Sequence, residues 1–176
     1  VQSILLVEDS VRYYSTYLPE LYRMVLRQSS EFLKETLNEQ QRKNMKRSRP
    51  KILLATNLDD AMAMYEKYKS NLLGVISDVG FCEHRGGKPE EEKLDAGLNL
   101  VRHIKADDPK MPILLQSSQD SICPVAEELG VGFLRKYSKT LMIQLYDYIK
   151  EEFAFGDFIF RDADRVEYGR AANLKE

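Results

Sequence analysis

The chain has 176 residues, 43% of them hydrophobic and 31% charged, with a formal net charge of −2. This is the composition of a folded chain long enough to bury a sizeable core, and it excludes disorder over most of its length. Near-neutral charge gives no global argument for nucleic acid or a membrane surface, no apolar run approaches a membrane span, and no charged-then-apolar signal pattern opens the chain. Two cysteines, Cys82 and Cys123, make no disulfide framework and fit a reducing cytoplasm. His84 and His103 have no metal-ligand spacing with them.

Taken in chain order, "ILLV" (4–7) predicts a first strand. A long helical pattern follows, from Ser10 to about Arg47, with Val11, Tyr14, Leu18, Leu21, Val25 and Phe32 at three-four spacing. Leu26, Leu33 and Leu37 form a second stripe, and Pro19 predicts a kink or a fresh start. Some 35 helical residues would span roughly 50 Å, against about 17–20 Å for a short strand. So the helix either overhangs the sheet and needs a cover, or folds back as a hairpin. "KILLAT" (51–56) predicts strand two, and "LDDAMAMYEKYK" a helix with Asp59 or Asp60 at its start and Ala61, Met64, Tyr65 and Tyr68 at helical spacing. "LLGVIS" (72–77), the helix "AGLNLVRHIK" with Leu98, Val101 and Ile104 on one face, and "PILLQS" (112–117) come next. "ICPVAEELG" predicts a short helix ended by Gly130. After "VGFLRK" (131–136), "SKTLMIQLYDYIKEEF" predicts a last helix capped by Ser138 that buries Leu141, Leu145, Tyr148 and Ile149.

None of the five strand patterns alternates cleanly, which is how strands covered on both faces read. Five β-α units in succession predict an α/β fold with a parallel sheet, right-handed crossovers and helices on both faces. In such sheets the ligand site lies outside the carboxyl ends of the strands. Glu8 and Asp9 end strand one, Asp78 ends strand three, Ser117 and Ser118 end strand four and Lys136 ends strand five. Three crowded carboxylates repel one another, and a hard cation such as Mg²⁺ removes that penalty. A lysine and a hydroxyl beside them suit an oxyanion. Together these residues describe a site for a metal and a phosphoryl group, with one carboxylate as nucleophile. Singly, each reads otherwise: Glu8 and Asp9 as acids at a helix start, Asp78 as a turn starter, Ser117 as structural, Lys136 as a solvated lysine.

"ILLVEDS", "VISDV", "PILLQSS" and "GFLRK", in that order at strand ends, resemble the receiver domain of two-component response regulators. The resemblance covers roughly residues 2–153. It implies a flavodoxin-like, doubly wound five-stranded parallel sheet of order 2-1-3-4-5, here with an extended first helix. It implies that Glu8, Asp9 and Asp78, with the backbone carbonyl of Gly80, bind Mg²⁺, and that Asp78 accepts a phosphoryl group from a histidine kinase or phosphotransfer protein. Ser117 and Lys136 would contact the phosphate, and Phe133 would be the aromatic that turns inward on activation. The protein would be a regulatory, cytoplasmic phospho-acceptor rather than an enzyme with turnover. On this reading residues 1–153 form the receiver-like domain, with insertions at about 27–49 and 82–95, and 154–176 form a tail.

The departures from the family are also legible. Tyr137 stands where the family usually has Pro after the Lys, so the loop near Lys136 is expected to differ. "FCEHRGGKPEEEKLDAG" (81–97) is an insertion beside the site, placed to gate it, dock a partner or obstruct phosphorylation. "RKNMKRSRPK" (42–51) is either a solvated helix end or a surface for an anionic partner; without interleaved aromatics it does not favour single-stranded nucleic acid. "PEEEK" (89–93) is an acidic patch complementary to it in sign. "DFIFRD" and "RVEYGR" in the tail predict a hairpin, read as a small add-on or the start of a linker to a further domain. Insert and tail together are similar to receiver-like regions ahead of phosphoenolpyruvate synthase-like or pyruvate, phosphate dikinase-like regions, none of whose catalytic sequence is present. Two rival readings remain. One is a phosphorylation-independent pseudo-receiver that acts as an interaction module, docking or dimerising through the extended first helix. The other is a Toprim-type Mg²⁺ enzyme, which needs a second Asp where Gly80 stands.

Overall fold

The structure, a computed structural model, describes residues 2–35, 49–88, 91–153, 158–161 and 167–171. Five parallel strands form the central sheet: β1 (Ser3–Val7), β2 (Lys51–Ala55), β3 (Leu72–Asp78), β6 (Ile113–Ser117) and β7 (Gly132–Arg135). They lie in the order β2-β1-β3-β6-β7, so the five parallel strands, counted in chain order, run 2-1-3-4-5 as expected. Two antiparallel ribbons are additional to the sheet. β4 (Phe81–Cys82) pairs with β5 (Glu92–Lys93), and β8 (Phe158–Arg161) pairs with β9 (Glu167–Ala171).

Both faces of the sheet are covered. Leu5, Val7, Val75, Ile113 and Leu115 share one buried cluster with residues of α2 (Leu58–Tyr68), α3 (Ala96–Asp107) and α4 (Cys123–Glu128). Ile4, Leu6, Ile76, Leu114 and Leu134 share the other with α1 (Val11–Glu35) and α5 (Leu141–Glu151). The runs therefore do alternate in space, but between two apolar environments, so the period of two is silent in the sequence.

The helices differ from expectation in three places. Pro19 lies inside α1, which stays helical past it. The missing amide leaves the Ser15 carbonyl without its intrahelical donor, but Ser15 and Pro19 are both on the exposed side, where water serves it. The buried stripe of α1 keeps Leu18, Leu21 and Val25 of the expected one but is completed by Tyr17 and Tyr13 rather than Val11. Tyr17, Leu21 and Val25 are buried at i, i+4, i+8 with Tyr13, Leu18 and Met24 partly so, while Val11 is 65% exposed and Leu26 is 44% exposed. At 25 residues α1 is about 37 Å long; the expected extension to Arg47, Leu37 of the second stripe and most of the basic 42–51 segment lie outside the described residues. Finally, α5 starts at Leu141, with Thr140 rather than Ser138 at the N-cap. Ser138 instead closes the preceding turn, its Oγ accepting from the Thr140 amide at 3.3 Å.

The other helix ends follow local chemistry. Asn57 caps α2 through its side-chain oxygen, which accepts from the Asp60 amide at 2.8 Å. Gly130 takes φ +65 just after α4, the left-handed conformation that a residue with a Cβ adopts only at a cost. Among the described residues no helix is long and apolar enough to cross a membrane.

Candidate functional site

The sheet's parity brings distant residues to one side. Ile4 and Leu6 of β1, Ile76 of β3 and Leu134 of β7 face α1 and α5. Continuing each strand by twos reaches Glu8, Asp78 and Lys136 at its carboxyl end. Gln116, of the same parity on β6, donates from Nε2 to the hydroxyl of Tyr17 on α1. Parallel strands in register end together, so the three charged groups meet on one rim: Val7 pairs with Ser77, Asp78 with Gln116, and Ser117 with Arg135.

Lys136 is the centre of the arrangement. Its ammonium donates to Glu8 Oε2 at 2.8 Å and to Asp78 Oδ2, with side-chain exposures of 9% for the lysine, 2% for Glu8 and 14% for Asp78. It also stands 4.2 Å from the centroid of the Tyr13 ring. Carboxylate oxygens of Glu8, Asp9 and Asp78 all lie within 4.8 Å of one another. The remaining Asp78 oxygen, Oδ1, accepts from the Val79 amide at 2.7 Å. The Glu8 carboxylate also accepts from the Ser10 amide at 3.2 Å, which fixes it at the start of α1.

Crowding and burial show in the acidities. Burial, and then the neighbouring Asp78 charge, push the Glu8 carboxyl up to about 7 despite its bond to Lys136. Asp9 is raised for the same two reasons, although the Cys82 backbone favours its ionised form. Burial pulls the Lys136 ammonium down, but Asp78 and Glu8 together more than reverse this, so it is held charged above its ordinary range. The group of oxygens suits a hard divalent cation: three carboxylates reach one point from an otherwise protein-enclosed rim, and one lysine leaves them under-neutralised.

The site opens to solvent through a cleft of about 230 Å³ lined by Glu8, Asp9, Asp78, Gly80, Ser117 and Lys136, among others. Every expected metal or phosphate residue therefore borders one cavity. The Ser117 hydroxyl accepts from the Gln119 amide at 3.1 Å, leaving its own proton free to be donated. Phe133 does not border the cleft: it pairs with Leu115 across the sheet and packs half-buried on the α2–α4 side. Tyr137 takes φ +66 and is 79% exposed, with its ring edge-on to Tyr13. The loop after Lys136 is thus turned by a left-handed tyrosine. The first turn of α3 reaches the loop after Asp78 because Gly97 has no side chain: its amide donates to the Val79 carbonyl at 2.8 Å, and a Cβ there would come 2.1 Å from the Asp78 carbonyl oxygen.

Three contributors were not foreseen. Tyr13 lies in the first turn of α1, just after the acids at the end of β1, and its ring faces Lys136. Gln116, inside an apolar strand, was a visible polar exception in the sequence. Glu92 comes from the 81–97 insertion and lines the cleft beside Gly80; nothing in "PEEEK" distinguishes it from its acidic neighbours.

No protein-family profile and no curated protein sequence matches the chain. Among solved structures it is similar to a response regulator receiver domain protein from Clostridium thermocellum, with a TM-score of 0.56 and 18% identity, covering 88% of this chain and 95% of that one. A response regulator receiver protein from Sinorhizobium medicae gives 0.55 and 16% over 88% and 95%. A two-component response regulator from Aurantimonas gives 0.56 and 18% over 88% and 86%. At such identities the likeness is one of fold, and the fold is that of response regulator receiver domains.

Proposed function

We propose that the chain is a phospho-accepting receiver module in which Asp78 takes a phosphoryl group from a histidine kinase or phosphotransfer protein. The observation that carries this reading is the Lys136 ammonium bonded to both Glu8 and Asp78, with Asp9 completing a carboxylate group whose oxygens lie within 4.8 Å. Glu8, Asp9 and Asp78, with the Gly80 carbonyl, would hold Mg²⁺. Bound there, Mg²⁺ would neutralise the crowded acids and the oxygens of the transferring phosphoryl group.

The chain's own residues supply the rest. An Asp78 carboxylate oxygen attacks phosphorus, a new O–P bond forms, and the P–N bond to the donor imidazole breaks. The electron pair stays on the imidazole nitrogen, which takes up a proton. Lys136, already at Asp78, holds an oxygen of the incoming group, and the Ser117 hydroxyl donates to another. The drawn-in Ser117 and a re-packed Phe133 then alter the face around β6 and β7 that a partner reads. The protein would be modified once per cycle rather than releasing a product, a regulatory acceptor and not an enzyme with turnover.

The test is incubation with acetyl phosphate and Mg²⁺, read by intact mass and amide spectra, with beryllofluoride as a stable mimic. Wild type should gain one phosphoryl group and shift resonances around Ser117 and Phe133, and Asp78→Asn should do neither. An unmodified wild type with unchanged spectra overturns the reading. That result would favour the rival, a phosphorylation-independent interaction module. This rival draws on Tyr22 and Leu26, which α1 leaves exposed, and predicts that Leu26→Asp abolishes self-association or docking.

A further inference from the structure

The insertion is built into the site rather than draped beside it. Its ribbon, β4–β5, is held to the start of α2 by the Asp59 amide donating to the Glu83 carbonyl at 3.0 Å. Two side-chain pairs, His84 with Asp59 and Arg85 with Asp60, reinforce that junction. Lys93 bonds Glu83 at 2.6 Å within the ribbon. The Cys82 backbone favours the ionised Asp9 carboxyl, so the ribbon stands beside one acid of the cation site. Cys82 pairs with Glu92 across the ribbon, which fixes where Glu92 stands.

Glu92 stands over the acids. Its Oε1 lies 2.6 Å from where a Cβ on Gly80 would be, so the glutamate carboxylate fills the space of the side chain that Gly80 lacks. It lines the same cleft as Glu8, Asp9 and Asp78. Among the described residues its carboxylate makes no hydrogen bond or ion pair, whereas the neighbouring Glu91 accepts from the Lys88 amide and Lys93 is paired. Burial, then Asp9 and Asp78, raise its carboxyl above the ordinary range, which is what a carboxylate aimed at other carboxylates experiences. Glu92 is itself exposed, so its carboxylate stands at the mouth of the cleft, above the more buried Glu8 and Asp78.

We propose that Glu92 is a further acidic residue of the cation site, through which the 81–97 insertion tightens divalent-cation binding and opposes the build-up of negative charge on Asp78. This rests on the Mg²⁺-assisted acceptor reading given above. Glu92 is outside the close group formed by Glu8, Asp9 and Asp78, and it would act on the cation through its charge across the cleft, which at a protein surface is enough to move an equilibrium several-fold. The same charge repels the phosphoryl group, which adds about −1.5 to −2. The insertion therefore sets the site towards cation-loaded and unphosphorylated.

The experiment compares full-length wild type, Glu92→Gln and Glu91→Gln by calorimetric titration with Mg²⁺, and by the steady-state phosphorylated fraction in acetyl phosphate at saturating Mg²⁺. Gln keeps the size of Glu, and Glu91→Gln removes a charge one residue away that does not line the cleft. Glu92→Gln should weaken Mg²⁺ about three- to tenfold and raise the phosphorylated fraction, with Glu91→Gln like wild type. Equal Mg²⁺ affinity in wild type and Glu92→Gln overturns the proposal while leaving the acceptor reading standing, as does an equal weakening in both variants. A wild type that binds no Mg²⁺ overturns both.

Discussion

The site makes the protein's stability rise as the pH falls towards mild acidity, opposite to ordinary acid denaturation. Glu8 is 2% exposed and its carboxyl is raised from 4.5 to about 7 by burial and by Asp78. A carboxyl whose folded-state pKa is raised holds its proton in the folded chain while the unfolded chain has already lost it. Its contribution is therefore fully present below about 4.5 and is lost as the pH rises through about 7. Each pH unit of displacement is worth about 1.4 kcal/mol, and between pH 8 and 5.5 roughly 1.5 units of the window are crossed, so about 2 kcal/mol of stability is regained. For a chain of this size that raises Tm by about 4–8 °C. Asp9 and Glu92 are shifted in the same direction, and His84, which Asp59 holds protonated to higher pH, adds to the effect.

The assay is thermal unfolding followed by far-ultraviolet circular dichroism, in EDTA, at pH 5.5 and pH 8. Wild type should melt higher at pH 5.5. Glu8→Gln, which cannot titrate, should melt above wild type at pH 8 and show most of the pH difference removed. Working above pH 5.5 keeps Asp60, Glu66 and Asp107 out of play, since their partners hold them below their ordinary range. A wild type no more stable at pH 5.5 than at pH 8, or a Glu8→Gln slope equal to that of wild type, refutes the account of Glu8 as a buried, crowded acid.

Lys136→Met removes the one cation from between Glu8 and Asp78, so at pH 8 in EDTA it should lose about 3–5 kcal/mol, the usual cost of breaking a buried pair from one side, measured by urea unfolding. Leu21→Ala empties a fully buried position of α1 between that helix and the sheet; a loss of about 2–5 kcal/mol is expected, and a loss below 1 would place the α1 stripe elsewhere. Gly97→Ala forces the acceptor loop and α3 apart, because its Cβ would meet the Asp78 carbonyl oxygen and Val79 Cα at 2.1 and 2.8 Å; about 1–3 kcal/mol should be lost, with the Asp78 and Val79 amide resonances displaced.

How much of this could be read in advance follows from what each feature needs. The five strands were legible because a sheet covered on both faces writes itself as apolar runs, and the acids and lysine at their ends because a charge directly after such a run is conspicuous. That Glu8, Asp78 and Lys136 share a side was not legible, since parity is invisible when both faces are apolar and only register supplies it. The buried stripe of α1 was only partly legible: Leu18, Leu21 and Val25 were expected, but Tyr13 and Tyr17 were not, because they are amphipathic and two apolar stripes wind round that helix. The start of α5 moved from Ser138 to Leu141 because Tyr137, at φ +66, delays the chain's entry into the helix. Glu92 depends on a two-strand ribbon whose pairing no local propensity dictates.

The charges at the rim constrain the order of events there. Glu8, Asp9, Asp78 and Glu92 face a single ammonium, Lys136, so a fully ionised site carries a net charge of about −3 before anything binds. A phosphoryl group brings about −1.5 to −2 more, and at the low effective dielectric of a partly enclosed cleft such an addition is heavily opposed. Either protons or a divalent cation must come first. Protons serve only below about pH 7, where Glu8 gains one, and a protonated Glu8 no longer offers a full charge to a metal. At neutral pH and above a divalent cation would be the remaining agent: held by Glu8, Asp9 and Asp78 it would supply +2 there and would leave Lys136 less bound to Glu8. The ammonium can then turn wholly to Asp78 and the group it receives. On the proposed reading, buried acids that cost the cation-free chain stability would be what make acceptance depend on the cation, and Glu92 would deepen that dependence.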